Sequence, residues 1–391
     1  MSEIGVGLVG YRFMGRAHSN AYRQVGRFFD VDPTPRMRAL CGRDEAAVRS
    51  AAEALGWEGY ETDYWRMLER DDIQLVDISS SGDTHHEFAV AALGAGKHVL
   101  CEKPLANTLI EAWEMAEAAR KAKAEAGTVS MVCHNYRRVP AVQLAKRLID
   151  EGRLGEIRLW RAVYLQDWLL DPATPMTWRL RRETGGAGPL ADLGSHLVDL
   201  ARFLVGPIRE VVGTAETFIE ERPHEREDGA KAQADRVTVS DAAAWLARFG
   251  NGAMGTFEAS PLVSGRKAKE SFEINGSRGS IVFDLERMNE LLVHFEDEKP
   301  AGFRTILVTE PEHPYVAGWW PPGHTIGYEH TFVHTVKDLL DGIRTGENPG
   351  PTFEDGYRCQ AVLDAVERSV EGRGWVTPEV GQIKGGVSEK V

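Results

Sequence analysis

Residues Ile4–His18 read IGVGLVGYRFMGRAH. The apolar run Ile4–Val9 ends at Gly10, and Met14, Ala17, Ala21 and Val25 then recur at helical spacing. The reading is a strand, a glycine turn and a helix, the opening of a βαβ unit whose helix N-terminus offers amides to an anion. A dinucleotide fingerprint at such a turn is G-x-G-x-x-G. Here Gly10-Tyr11-Arg12-Phe13-Met14-Gly15 puts an arginine at the central position, where glycine lets the backbone approach a pyrophosphate. Arg12 meets that need only with its Cβ turned from the phosphates and its φ negative. The amides near Phe13 and Met14 would still face the anion, and the guanidinium can add a charge-assisted contact to the pyrophosphate or to a 2′-phosphate.

Outward from this stretch, strand and helix alternate. Arg38–Cys41, Leu75–Ile78, Val99–Cys101 and Val129–His134 read as strands, with helices at Glu45–Leu55, Glu87–Ala95 and Thr108–Ala124. This α/β pattern implies a doubly wound parallel sheet, with ligands at the carboxyl ends of its strands. From Ile157 the pattern becomes longer alternating runs: Ile157–Leu165, Glu210–Ile219, Ala242–Phe249, Gly255–Ala259, Phe272–Asn275, Ser280–Asp284 and Leu291–Phe295. Asn251-Gly252 is a hairpin signal between two of them. An N-terminal domain of residues 1–135 and an α+β domain of 136–391 with a mostly antiparallel open sheet follow. The charged stretch Glu220–Asp235 reads as an exposed loop. Thr331–Gly342 and Arg358–Glu371 read as helices that pack back on the first domain.

The 391 residues suffice for two cores. A formal charge of −13 argues against nucleic acid as the main partner. Cys41, Cys101, Cys133 and Cys359 form no C-x-x-C pair, so neither a zinc knuckle nor a disulfide framework is indicated, and such thiols suit a reducing cytoplasm. No signal-peptide pattern opens the chain and no run of eighteen apolar residues occurs, so no membrane partner is expected.

Two further stretches carry chemistry. GKHVLCEKPLA (Gly96–Ala106) leaves a strand directly into Glu102-Lys103-Pro104, and the proline restricts Lys103 to extended backbone. A surface Lys–Glu pair before a helix would read the same. In GGAGPLADLGSHLVDLARFL (Gly185–Leu204), Asp192, His196 and Asp199 fall at i, i+4 and i+7 on one helical face, beside a leucine face of Leu193, Leu197, Leu200 and Leu204. A carboxylate one turn from an imidazole fixes its tautomer and stabilises its protonated form, as a general base requires. A buried structural histidine fits the same spacing. Asp192 and His196 would also make half a metal site, but no second His or Cys cluster completes it.

Together the three stretches resemble the Gfo/Idh/MocA oxidoreductases, sugar, inositol and glycoside dehydrogenases with an N-terminal Rossmann domain. The resemblance runs through essentially the whole chain, with NYRRVPAV (Asn135–Val142) between the two chemical motifs. The later YLQDWLLDPATPMTWRLRRE (Tyr164–Glu183) looks closest to the branch containing levoglucosan dehydrogenase and bacterial glycoside 3-dehydrogenases. The resemblance implies hydride transfer from a sugar C–H to nicotinamide C4. His196 would act as base, Lys103 would hydrogen-bond the same oxygen, Asp192 would orient both, and no metal is needed. Pyranose C3 is one candidate position for the reaction.

The implied cofactor cradle runs through Gly10, Arg12, Phe13, Met14, Gly15, Arg43, Ser80, His85, Glu102 and Lys103. Implied substrate contacts are Tyr136, Arg137, Gln166, Trp168, Asp192 and His196, with Asp167, Trp178, Tyr328 and His324 further candidates. Interdomain packing for Tyr136 and a surface ion pair for Arg137 fit equally, as does a structural hydrogen bond for His85.

The chain departs from the family in places. Ser80-Ser81-Gly82 replaces the usual Thr-Pro-Asn, which implies a more flexible loop. The second strand ends Gly42-Arg43-Asp44, with no acid at the position that holds a ribose 2′-OH and Arg43 available to a 2′-phosphate, so the residues permit either cofactor. The resemblance to the levoglucosan dehydrogenase branch implies NAD, and NADP stays open. Loops around 164–183 and 313–328 would set substrate choice, and the open sheet face would build a homodimer or homotetramer. Two rival readings stand beside the dehydrogenase: an NAD-dependent enzyme that cleaves glycosides through a transient oxidation, and a non-catalytic nicotinamide-binding regulator.

Overall fold

The opening stretch folds into β1 (Glu3–Val9) and α1 (Phe13–Phe28) in the computed structural model, which describes residues 2–224 and 234–381. Every β1 residue after Glu3 is buried, as a parallel strand covered on both faces requires. There follow β2 (Thr34–Cys41), α2 (Glu45–Leu55), β3 (Tyr60–Glu61), α3 (Tyr64–Leu68), β4 (Leu75–Ile78), α4 (His85–Gly94), β5 (His98–Glu102), α5 (Leu109–Ala126) and β6 (Ser130–Cys133). The six strands pair in parallel in the order β3-β2-β1-β4-β5-β6. The chain winds outward from β1 and returns to its other side at β4. That reversal opens a crevice at the carboxyl ends of β1 and β4. β3 and α3 are too short to show periodicity in the sequence.

The second half runs α6 (Pro140–Asp150), β7 (Ile157–Leu165), α7 (Arg182–Gly185), α8 (Pro189–Asp192), α9 (Gly194–Leu204), β8 (Ile208–Glu216), β9 (Glu221–Pro223), β10 (Ala234–Arg236), β11 (Ala242–Phe249) and β12 (Met254–Ser260). It ends with β13 (Lys269–Gly276), β14 (Gly279–Asp284), β15 (Glu290–Phe295), β16 (Arg304–Leu307), α10 (Tyr328–Thr345) and α11 (Phe353–Gly372). Eight strands form a sheet in the order β16-β15-β14-β13-β7-β12-β11-β8, antiparallel except where β12 meets β7. Alternation assigns the faces. β11 buries Ala243, Trp245, Ala247 and Phe249 and exposes Ala244, Leu246 and Arg248. α9 and α11 cover the inner face, where Leu197, Leu363 and Val366 share a core with Trp245 and Phe257. Gly252 makes the expected β11–β12 turn at φ +91°.

Two expectations are corrected. Gly185–Leu204 is not one helix: Gly186 and Gly188 take φ of +61° and +59°, Pro189 starts α8, and the chain restarts at Gly194 after Leu193. The stretch Glu220–Asp235 is not simply an exposed loop, because β9 and β10 pair as a ribbon. Its Arg222 is fully buried, with the guanidinium donating to the carbonyls of Leu169 at 2.6 Å and Asp171 at 2.9 Å. Residues 225–233 of that stretch lie outside the described ones.

The last two helices reach back to the first sheet. Phe332, Val333, Val336, Leu339 and Leu340 of α10 share a core with Leu8, Val25 and Leu40. Phe353 and Tyr357 of α11 join Ile78, Val99 and Leu105, whereas its later Leu363 and Val366 join the second core. Among the described residues no helix is long and apolar enough to cross a membrane.

Candidate active site

The carboxyl ends of β1, β4 and β5 face α8, α9 and β7 across a cleft of about 1640 Å³. That exceeds the roughly 300–1,000 Å³ of a usual single-ligand site. Its floor is the glycine turn. A Cβ on Gly15 would lie 2.1 Å from the Gly10 carbonyl oxygen, and Gly10 has φ +100° against the Ser79 backbone, so neither position takes a side chain. Arg12 between them has φ −80°, ordinary for an L residue, and is exposed. The first turn of α1 holds no acid and no side-chain cap, which leaves its amides directed at the cleft. The turn therefore fits a dinucleotide pyrophosphate despite the arginine.

Around this floor the other cradle residues are fixed by local bonds. The Asp44 carboxylate accepts from the Ala47 amide at 3.0 Å as the cap of α2, so exposed Arg43 is the charge presented beside it. The His85 ring bridges the carbonyls of Pro104 at 3.0 Å and Ser80 at 3.2 Å, and Ser80 Oγ lies 2.6 Å from Thr84 Oγ1. Those bonds pin the Ser80-Ser81-Gly82 loop that the sequence implied would be loose.

On the facing wall, Lys103 Nζ donates to Asp192 Oδ1 at 2.7 Å and to the Asp192 carbonyl at 2.8 Å. Asp192 does not serve as the partner of His196, contrary to the helical-face reading: the break at Leu193 and the pull of Lys103 turn its carboxylate away. Burial pushes the Asp192 carboxyl up, but Lys103 and then Arg179, whose Nε is 3.8 Å from Oδ2, hold it below the usual range. His196 lies between aromatic rings, 4.4 Å from Tyr136, 5.8 Å from Tyr164 and 5.8 Å from His134 between centroids. Its Nδ1 is buried without a partner among the described residues, and Nε2 opens to the cleft. Burial first, then the Lys103 charge and His134, press its pKa well below 6.5. The imidazole is thus neutral near pH 7, with a nitrogen available to a hydroxyl.

Behind the cradle lies a network that carries no sequence signal. His18 is buried between two carboxylates, with Nδ1 2.8 Å from Asp77 and Nε2 2.9 Å from Glu102. The Tyr22 hydroxyl donates to Asp77 at 2.8 Å, and Glu102 accepts from the Lys103 amide at 3.1 Å. Cys133 Sγ stands 3.8 Å from His18 Nε2, so a histidine, a carboxylate and a thiol lie close together, but both imidazole nitrogens are already engaged.

Arg137 is corrected from substrate contact to structural ion pair. It is buried and gives two 2.7 Å bonds to Asp199, away from the cleft lining. Tyr136 does line the cleft, its hydroxyl 3.0 Å from that of Tyr164. Gln166, Trp168, Trp178 and Tyr328 line it too, with Trp168 Nε1 donating to Gln166 Oε1 at 3.0 Å. Asp167 instead pairs with Lys267 at 2.7 Å, and His324 bonds the Pro321 carbonyl at 2.9 Å away from the lining. Of 313–328 only Tyr328 reaches the cleft, from the start of α10. Arg179, Tyr164 and Asn107 are cleft residues the motifs did not single out.

Comparison with known proteins agrees with this geometry. Residues 4–129 match the oxidoreductase family with an NAD-binding Rossmann fold, and residues 142–282 match the GFO/IDH/MocA C-terminal domain. The chain is 39% identical to levoglucosan dehydrogenase of Pseudarthrobacter phenanthrenivorans over 388 residues, 96% of this chain and 98% of that one. A crystal structure of an oxidoreductase domain protein from Kribbella flavida superposes with a TM-score of 0.94 at 54% identity, covering 97% of this chain and all (100%) of the other. The complex of levoglucosan dehydrogenase with NADH and levoglucosan superposes with a TM-score of 0.92 at 39% identity, over 97% of this chain and 100% of that one. The chain belongs to the Gfo/Idh/MocA family of NAD-binding oxidoreductases.

Proposed function

We propose that the protein is an NAD-dependent dehydrogenase that oxidises a secondary hydroxyl of a sugar or glycoside. The observation that carries the reading is the His196 imidazole lining the cleft beside the Lys103–Asp192 pair and across from a glycine-turn anion site. The levoglucosan complex of a 39% identical relative supports a sugar-sized substrate. When bound, NAD supplies the hydride acceptor. His196 Nε2 takes the hydroxyl proton as the carbon gives up its hydride. Lys103 Nζ donates to the same oxygen and stabilises alkoxide character, while Asp192 holds that ammonium in place and contacts substrate. Trp168 and Trp178, about two-fifths exposed (41% and 40%), offer ring faces to the apolar side of a pyranose.

Incubation with NAD and a panel of sugars and glycosides, levoglucosan included, tests the reading by reduced-nicotinamide absorbance. Stoichiometric reduction with a preferred sugar is expected, and no turnover with any polyol or glycoside overturns it. Glycosidic cleavage without NADH accumulation replaces it with the transient-oxidation reading. His196→Asn and Lys103→Met should each lower kcat by roughly 10²–10⁴-fold while NADH still binds. Retained kcat in both variants would refute their catalytic roles, whereas a Lys103→Ala variant that kept full biological activity would favour the regulator. Leu246 and Met254 stand exposed on the outer face of the eight-stranded sheet, and we propose a homodimer or homotetramer assembled there; a monomer on light scattering refutes it.

A further inference from the structure

Four carboxylates in and behind the catalytic wall have cationic partners: Asp77 and Glu102 share His18, Asp192 takes Lys103, and Asp199 takes Arg137. Glu270 has none. It is fully buried, and neither of its oxygens has a hydrogen-bond partner among the described residues. On β13 it stands in the inward row of Phe272 and Ile274, where packing alone would place an apolar side chain. Its antiparallel partner on β7 is Tyr164, and directly opposed residues project from the same face with Cβ atoms about 4.5–5.5 Å apart. The Tyr164 ring lies 5.8 Å from His196 between centroids. Glu270 therefore stands beside Tyr164, one ring away from His196, whose Nδ1 is likewise buried without a partner among the described residues. Two orphaned buried groups, each costing about 1–3 kcal/mol or more, call for a shared explanation.

We propose that Glu270 is the proton-accepting partner of His196, reached from Nδ1 through an ordered water, and that the proton taken from substrate is stored on its carboxylate. The inference rests on the base role of His196 proposed above. For Nε2 to accept a proton, Nδ1 must already carry one, and a buried N–H needs an acceptor. In the step, the substrate O–H breaks and Nε2–H forms. Nδ1–H breaks in turn, and its proton passes through the water to a Glu270 oxygen. His196 ends neutral and Glu270 ends as a carboxylic acid, so no extra charge stays in the wall, and the hydride leaves with the cofactor.

The surroundings set this direction. Lys103 and His134 disfavour the imidazolium, and Tyr136 and Tyr164 add no compensating charge. Burial, with the Asp199 charge beyond it, raises the Glu270 carboxyl well above the usual range, and Lys103 opposes that only in part. The proton is thus better held on Glu270 than on the imidazole. Glu270 acts through His196, as a positioning residue.

The test is the pH profile of sugar oxidation in wild type, Glu270→Gln, Glu270→Asp and His196→Asn, with NADH titration reporting folding. In wild type kcat/KM should climb with pH as Glu270 ionises. Glu270→Gln should bind NADH normally, lose at least tenfold in kcat and lose that climb. Glu270→Asp keeps a carboxylate one methylene back and should restore a climb at a shifted pH. Wild-type kcat with an unchanged climb in Glu270→Gln overturns the proposal. Should that variant not bind NADH, a Glu270→Asp profile superposing on wild type overturns it instead. An active His196→Asn refutes the base role itself, whereas an inactive His196→Asn beside a wild-type-like Glu270→Gln refutes only the part assigned to Glu270.

Discussion

His18 shows how a single side chain sets the charge beneath the site. Burial alone would lower its pKa, but Asp77, with Cys133 beside it, raises the imidazole well above 6.5. Its stabilising contribution is therefore complete below the unfolded value of about 6.5 and fades as pH rises through the folded one. His18→Leu strands Asp77 and Glu102 and should cost roughly 3–5 kcal/mol at pH 6, the gap to wild type narrowing in alkaline urea titrations. Arg137→Ala strands Asp199 at a similar cost of about 3–5 kcal/mol. Replacing both partners, as Arg137→Met with Asp199→Leu, should recover most of that loss in the same titration. These buried groups also mark where sequence reading stops. Lys103 and His196 are legible because each sits in a short string with a chemical rationale. Their setting is not: the partner of Lys103 is 89 residues away and His18 reaches Glu102 across 84. Glu270 leaves no trace, because a glutamate at the start of an alternating strand reads as solvent-facing.

At the scale of elements, the turn before α1 tolerates arginine at its centre and nothing but glycine at its ends. Gly15→Ala brings a methyl to 2.1 Å of the Gly10 oxygen and should abolish NADH binding in a fluorescence titration while the far sheet stays folded. Arg12→Gly leaves the turn intact and removes one guanidinium. A roughly tenfold weaker NADH affinity is expected, about the worth of one charge-assisted bond. Unchanged affinity would show that Arg12 touches no phosphate. Strand periodicity is the most legible layer of the fold: Ile157–Leu165 and Ala242–Phe249 stand in the structure with the bounds read from their alternation. The break between α8 and α9 is less legible, because Asp192 and His196 keep helical spacing across it. Only the glycines before Pro189 hint that this segment is stitched from short pieces.

The molecule as a whole is closed by its last two helices. α10 completes the apolar cover of β1 and α1, and α11 spans both cores. Residues 1–135 expressed alone should therefore fail to give a cooperative melt, and restoring residues 328–372 in trans should raise their solubility. A sharp independent transition from the fragment would contradict this. The helical periodicity of both segments is visible in the sequence, but their partners are not, since contacts across three hundred residues leave no local pattern. The edge of the first sheet depends on the same region. The Val132 amide donates to the Pro351 carbonyl at 2.9 Å and the Ser130 amide to Asn348 at 3.2 Å, so the edge of β6 that faces away from β5 is capped by chain more than two hundred residues later. On the ribosome, the nucleotide-binding half must then wait, the outer edge of its last strand uncapped and its helix-docking face bare, until residues 328–372 have emerged. A chain built this way keeps an open strand edge and an apolar docking face exposed until that later region is made, and is a natural client for chaperones that shield nascent strands.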